Sequence, residues 1–146
     1  MQPSHFFTRE QRKRISLAIR EAELNTSGEI WVHLERQCKG EVLDRAAYLF
    51  EKLGMHKTAL RNGVLFYLAV DDHKFAILGD AGINSVMEEN FWDEIRNKVM
   101  EEFSEERFAE GLETGILMAG EKLKEHFPYQ EGDVNELPDE ISSGDQ

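Results

Sequence analysis

Residues 63–82 run Gly63-Val64-Leu65-Phe66-Tyr67-Leu68-Ala69-Val70-Asp71-Asp72-His73-Lys74-Phe75-Ala76-Ile77-Leu78-Gly79-Asp80-Ala81-Gly82. Val64 to Val70 is apolar without interruption, and it is far too short to span a membrane. A strand of this kind needs cover on both faces, which places it at the centre of a sheet. Phe75 to Leu78 is a second apolar run, and only Asp71-Asp72-His73-Lys74 separates the two. So short a polar link predicts an antiparallel hairpin. Gly79-Asp80-Ala81-Gly82 then ends the sheet.

The flanking segments complete the fold. Thr8 and Gln11 have the spacing of a capping box, and Ile15, Ala18, Ile19 and Ala22 recur at helical spacing behind them. Arg9, Arg12, Lys13 and Arg14 make the first half of this helix basic, which predicts a solvated face or an acidic neighbour. Asn25 to Gly28 breaks it. Ile30, Val32 and Leu34 then alternate with Trp31 and His33, predicting a strand with one face more apolar. Val42, Ala46, Leu49, Phe50 and Leu53 predict a second helix, with Gly54 as a left-handed cap. A strand-helix-strand crossover is right-handed and makes its two strands parallel. Phe91, Ile95, Val99 and Phe103 mark a helix after the hairpin, and Ser104 is the expected N-cap of the next one. Phe108, Leu112, Ile116, Ala119 and Leu123 mark that last helix, which Pro128 stops. Gly111 and Gly115 lie four apart within it and predict close packing on the sheet or another helix. The expected class is α/β: a small, mixed, mostly parallel sheet with a β-hairpin, flanked by helices on both faces.

The chain has 146 residues and 40% apolar content, enough for one domain. The expected domain is 1–127. From Pro128 to Gln146 there are six acids and no Lys or Arg, predicting a mobile or partly docked acidic tail. Val134, Leu137 and Ile141 are the residues able to dock it. The formal net charge of −12 argues against nucleic-acid and anionic-membrane partners and favours cations and basic surfaces. Cys38 is the single cysteine, so no internal disulfide forms. The first residues hold no apolar run of signal-peptide length, so a cytoplasmic monomer is expected.

The chain contains no GxSxG elbow, P-loop, HExxH or paired CxxC. His5, His33, His56, His73 and His126 are dispersed without metal spacing, and His33 is expected to be structural. The remaining candidates are carboxylates. Asp71 and Asp72 lie in the hairpin turn. Asp80 lies at the hairpin's other end, beside Arg61 and Asn62 and roughly 15–20 Å from the turn at about 3.3 Å per residue. The three therefore cannot share one ion unless the chain folds back. Oxygen-only donors favour Ca²⁺ or Mg²⁺. The competing expectation is that Asp80 caps a short helix at Ile83 while the glycines merely turn the chain.

Arg61-Asn62-Gly63-Val64-Leu65, Ala69-Val70-Asp71-Asp72 and Ile77-Leu78-Gly79-Asp80-Ala81-Gly82-Ile83 resemble, in order and spacing, the core pattern of the TPM domain family. That family is named partly for a plant photosystem II repair protein and a worm receptor modulator. Thr26-Ser27-Gly28-Glu29-Ile30 resembles its first strand and Phe108-Ala109-Glu110-Gly111-Leu112 its late helix, so the likeness spans residues 10–127. The resemblance implies a sheet flanked by helices, divalent-cation binding in some members and acid phosphatase activity in plant ones. Carried over by position, it points to Asp71, Asp72 and Asp80 as metal ligands. His73 stands where many members have Arg, and Asp80 where many have an aromatic or small residue. The functional expectations are a Ca²⁺- or Mg²⁺-binding domain with an accessory or assembly role, a metal-dependent acid phosphatase, or a protein-interaction module with an unidentified protein partner.

Overall fold

The computed structural model describes residues 5–87, 90–129 and 141–144. Thr8 opens α1 (Arg9–Glu23) with both bonds of the capping box in place, and Ile15, Ala18, Ile19 and Ala22 are its buried residues. Next come β1 (Glu29–Glu35) and α2 (Val42–Lys52). Gly54 follows α2 in the left-handed conformation, φ 75°, and leads into a 3-10 turn at Met55–Lys57. β2 (Gly63–Ala69) and β3 (Lys74–Gly79) form the hairpin. The short α3 (Ala81–Asn84), then α4 (Asp93–Ser104), α5 (Phe108–His126) and β4 (Ser142–Ser143) complete the order.

The sheet order is β3-β2-β1-β4. β1 runs parallel to β2, as a crossover through α2 requires, and β2 pairs antiparallel with β3. Ile30, Val32, Leu34, Val64, Phe66 and Leu68 face a core shared with α1, α4 and α5. Trp31, Leu65, Tyr67 and Ala69 face a smaller core capped by Ala46, Leu49 and Phe50 of α2. Helices thus cover both faces, and β1, whose alternation marked one face as more apolar, is buried along its whole length.

One local expectation resolves differently. Ser104 does not cap α5: it is the last residue of α4, and its hydroxyl donates back to Glu101 O. The break falls at Glu106, which takes φ 60°, and Arg107 stands at the N-cap without a side-chain cap bond. The glycines of α5 pack closely as expected, Gly111 and Gly120 on helices and Gly115 on both α4 and Phe66 of the sheet. A Cβ on Gly111 would lie 2.8 Å from a Phe103 ring carbon, and one on Gly120 2.6 Å from Ala22 Cβ. The basic face of α1 finds its acid on α5, where Glu113 accepts twice from Arg14 at 2.7 and 2.9 Å.

Ile141 is buried, and β4 lies parallel to β1 at His33 and Leu34. Val134 and Leu137 lie outside the described residues. Among the described residues no helix is long and apolar enough to cross a membrane.

Candidate functional site

Asp71, Asp72 and Asp80 each have a place set by the hairpin. Continuing the register, Asp80 stands opposite Gly63 and donates its N–H to Gly63 O, so it is at the far end from the Asp71-Asp72 turn. It is buried beside Arg61, as its position after β3 predicted. Arg61 Nε donates to Asp80 Oδ2 and Arg61 Nη2 to Oδ1, both at 2.8 Å, while Ala81 N–H donates to Oδ1 at 2.7 Å. Asp80 is therefore the N-cap of α3. Gly82 is needed for contact rather than for positive φ: a Cβ there would lie 2.2 Å from Leu60 O.

The turn carboxylates are held differently. Asp71 Oδ2 accepts from Arg36 Nε at 2.8 Å, and Asp72 Oδ2 accepts from Cys38 N–H at 2.8 Å. Lys74 Nζ donates to the carbonyls of Cys38 and Gly40. These bonds staple the loop after β1 to the hairpin. Cys38 is buried within this staple. The structure thus brings Asp71 and Asp72 together and leaves Asp80 apart from them. Among the described residues no group of three or more His, Cys, Asp or Glu side chains could hold a metal ion. Two carboxylates, one of them salt-bridged, fit only a largely hydrated ion of the Mg²⁺ kind.

A different cluster forms at the carboxyl end of β1, where parallel sheets place ligands. A cleft of about 730 Å³ opens there between α2, the loop after β1 and residues 143–144. Glu35 lies at its base. Arg45 clamps the Glu35 carboxylate through Nε at 2.9 Å and Nη2 at 2.6 Å, and the Tyr67 hydroxyl donates to it at 2.7 Å. Burial pushes the Glu35 carboxyl up, but the hydrogen bonds from Arg45 and Tyr67 outweigh it and hold the group below the usual range. Burial and the Glu35 bond push the Tyr67 phenol up, and the Glu35 bond raises Arg45.

His33 is the second buried polar residue of the cleft. Trp31 Nε1 donates to Ser142 Oγ at 2.6 Å, and His33 Nδ1 lies 2.6 Å from the same oxygen. The Ser142 hydroxyl can in turn donate to Val32 O at 3.4 Å or to His33 Nδ1, and its choice sets which imidazole nitrogen carries the hydrogen. His33 Nε2 is buried without a hydrogen-bond partner, 3.8 Å from Glu35 Oε2. Burial lowers the His33 pKa, and the neighbouring Glu35 opposes this without cancelling it. Arg36, Lys39, Arg45 and Lys52 also line the cleft, so that among the described residues four cations stand against the carboxylate of Glu35.

This cluster was not assembled from the sequence. Its members come from β1, the following loop, α2 and β4, with no common motif. One signal was present: a charged residue, Glu35, closes the strand at its carboxyl end.

No curated protein matches the chain. Among solved structures, the chain is 48% identical to the BA42 protein of the psychrophilic bacterium Bizionia argentinensis, with a TM-score of 0.90 over 96% of this chain and 97% of that one. The N-terminal domain of a P. gingivalis protein matches with a TM-score of 0.68 at 19% identity, over 87% of this chain and 84% of that one. The N-terminal domain of the cg2496 protein of Corynebacterium glutamicum matches with a TM-score of 0.67 at 13% identity, over 91% and 83%. These last two likenesses are of fold alone. The family model of the TPM domain matches residues 1–122, and with the capped hairpin and the 48% identical relative on the page, the chain belongs to the TPM domain family.

Proposed function

We propose that this TPM domain is a small ligand-binding module whose working site is the cleft at the carboxyl end of β1, and that the cleft takes an oxyanion, a phosphate or carboxylate group. The observation that carries this reading is a local reversal of charge among the described residues: four cationic side chains against one carboxylate, in a chain of net charge −12. The buried, unpartnered His33 Nε2 supplies a further polar group on the same side. Guanidinium and ammonium donors are the groups that recognise such oxyanions. Glu35 takes part by fixing Arg45 in one orientation.

A second reading concerns the hairpin turn. Asp71 and Asp72 each engage one carboxylate oxygen, and the other oxygen has no hydrogen-bond partner among the described residues. This favours weak binding of a hydrated divalent cation there, without Asp80. Arg36 lies against both features, lining the cleft and pairing with Asp71. A phosphate ester in the cleft beside such a cation is the arrangement a metal-dependent phosphatase requires, and that activity is the form of turnover this reading admits.

Titration with inorganic phosphate, followed by amide and arginine side-chain NMR at constant ionic strength, tests the first reading. Saturable shifts are expected at residues 33–39, at Arg45 and at Ser143 and Gly144, and they should weaken in a Lys39→Gln/Lys52→Gln variant. Absence of saturation sinks it. A parallel Mg²⁺ titration should move residues 71–74 only; no saturable shift there removes the second reading.

A further inference from the structure

The sheet has two edges, and the chain covers one of them with its own extended segment, β4. The other edge is β3. Asp80 N–H donates to Gly63 O directly opposite it. Bonded and non-bonded pairs alternate along an antiparallel ladder, so Phe75, Ile77 and Gly79 turn their N–H and C=O groups away from β2. On that side β3 has no neighbouring strand among the described residues. Among the described residues only the Gly79 carbonyl has a partner there, the Asn84 side chain at 3.1 Å. Protection of this edge is slight: its one charge, Lys74, stands at the turn end and bonds back to the Cys38 and Gly40 carbonyls, and Phe75 to Gly79 contains no charge and no proline.

A groove of about 830 Å³ runs along this edge. Val42 and Leu43 at the start of α2 form one wall, and Phe91 and Trp92 form the other. Leu43 is 56% exposed, so one wall presents bare apolar surface. We propose that this groove docks an extended, cationic peptide segment of another protein, which adds to β3 as a further strand. Backbone groups free at every second residue specify an extended occupant. Walls on both faces admit a single strand but would collide with the walls of a second copy, so sheet-to-sheet dimerisation is disfavoured. The net charge of −12, with Glu41 and Asp93 on the groove, selects positive charge against the lone Arg96.

The full chain is titrated with three synthetic seven-residue peptides: alternating valine and lysine, the same peptide N-methylated at every amide, and alternating valine and glutamate. Amides of Phe75, Ile77 and Gly79 are expected to shift more than those of Ala76 and Leu78, whose N–H groups face β2. The N-methylated and glutamate peptides should lose the effect. Leu43→Lys is expected to weaken binding about tenfold with the melting curve unchanged. Equal binding by the N-methylated or glutamate peptide, or no saturable shift with the lysine peptide, overturns the proposal. So does a dimer in sedimentation whose β3 amides shift with protein concentration alone, because that gives the edge to a second copy.

Discussion

Gly115→Ala probes the closest glycine contact between two helices among the described residues. Gly115 lies within α5 and is buried where that helix crosses α4. An added Cβ would sit 2.5 Å from Val99 Cγ2, 3.1 Å from Phe66 Cε2 and 3.7 Å from Ile95 Cγ2. Carbon atoms pack best at about 3.5–4.0 Å, so the Val99 contact is about 1 Å too short. Val99 cannot swing aside, because it is fully buried and a β-branched side chain has essentially one rotamer in a helix. The helices must separate or the sheet must yield at Phe66. Overpacking costs about 1–3 kcal/mol, and a contact this short with no rotamer escape belongs at the upper end, about 2–3 kcal/mol, while alanine returns about 1 kcal/mol of helix propensity. The expected net loss is about 1–2 kcal/mol, or about 3–6 °C in melting temperature for a chain of this size. Urea unfolding followed by far-ultraviolet circular dichroism measures it. The decisive comparison adds Val99→Ala. If the clash is the cause, the new methyl fills part of the space that Val99 vacates, and the double variant is more stable than the sum of the singles by about 1 kcal/mol. A Gly115→Ala protein as stable as the parent, or strictly additive losses, would refute the reasoning.

Three other perturbations give distinct readouts. Asp80→Ala should lose about 1 kcal/mol from the N-cap alone plus its pairing with Arg61, and Asp80→Asn should lose less because asparagine still caps; if either effect on thermal unfolding appears only with Mg²⁺ present, Asp80 is acting as a ligand instead. Ser142→Ala leaves Trp31 Nε1 and His33 Nδ1 without their shared oxygen and should cost about 1–3 kcal/mol in urea unfolding, an effect that vanishes if the β4 pairing does not persist in solution. Burial holds the His33 pKa below its ordinary 6.5, so the native state binds fewer protons than the unfolded chain as pH falls through that value, and stability declines from there toward the lowered pKa and then levels off. Glu35, also depressed, contributes its own loss only in the lower carboxylate range. His33→Asn keeps an acceptor for Ser142 and should flatten the upper window in stability measured against pH; an unchanged slope there would assign it elsewhere.

The hairpin was legible because its two signals are local: an unbroken apolar run and a four-residue polar link joining it to another. The capping box at Thr8 and the left-handed Gly54 were legible for the same reason. The end of α4 was not. Ser104 has the chemistry of a cap, but the helix runs through it and breaks at Glu106, a residue whose positive φ has no signature in its side chain. The carboxylates were legible as a set and illegible as a site, because what each one does depends on a partner far along the chain. Asp71 meets Arg36, Asp72 meets the Cys38 amide and Asp80 meets Arg61. For Asp80 alone, position after β3 was enough to predict its neighbour. The β1 cleft lacked even that, since Glu35, Arg45, His33 and Ser143 converge only once the crossover and β4 are in place.

β4 also has a consequence in time. The strand that flanks β1 comes from residues separated from their partners by 109 positions in the chain, as the His33–Ser142 contact shows. On a ribosome, α1, the crossover and the hairpin leave the exit tunnel long before Gly144 does. Until then β1 shows an unpaired flank, including the Leu34 carbonyl that Gly144 N–H finally satisfies. The nascent chain therefore passes through a stage with both margins of its sheet open, a template for association with other chains at the moment when local concentration is highest. Late closure makes residues 141–144 a checkpoint on folding: a product truncated before them would keep nearly all of its core and still carry the sticky margin that β4 hides.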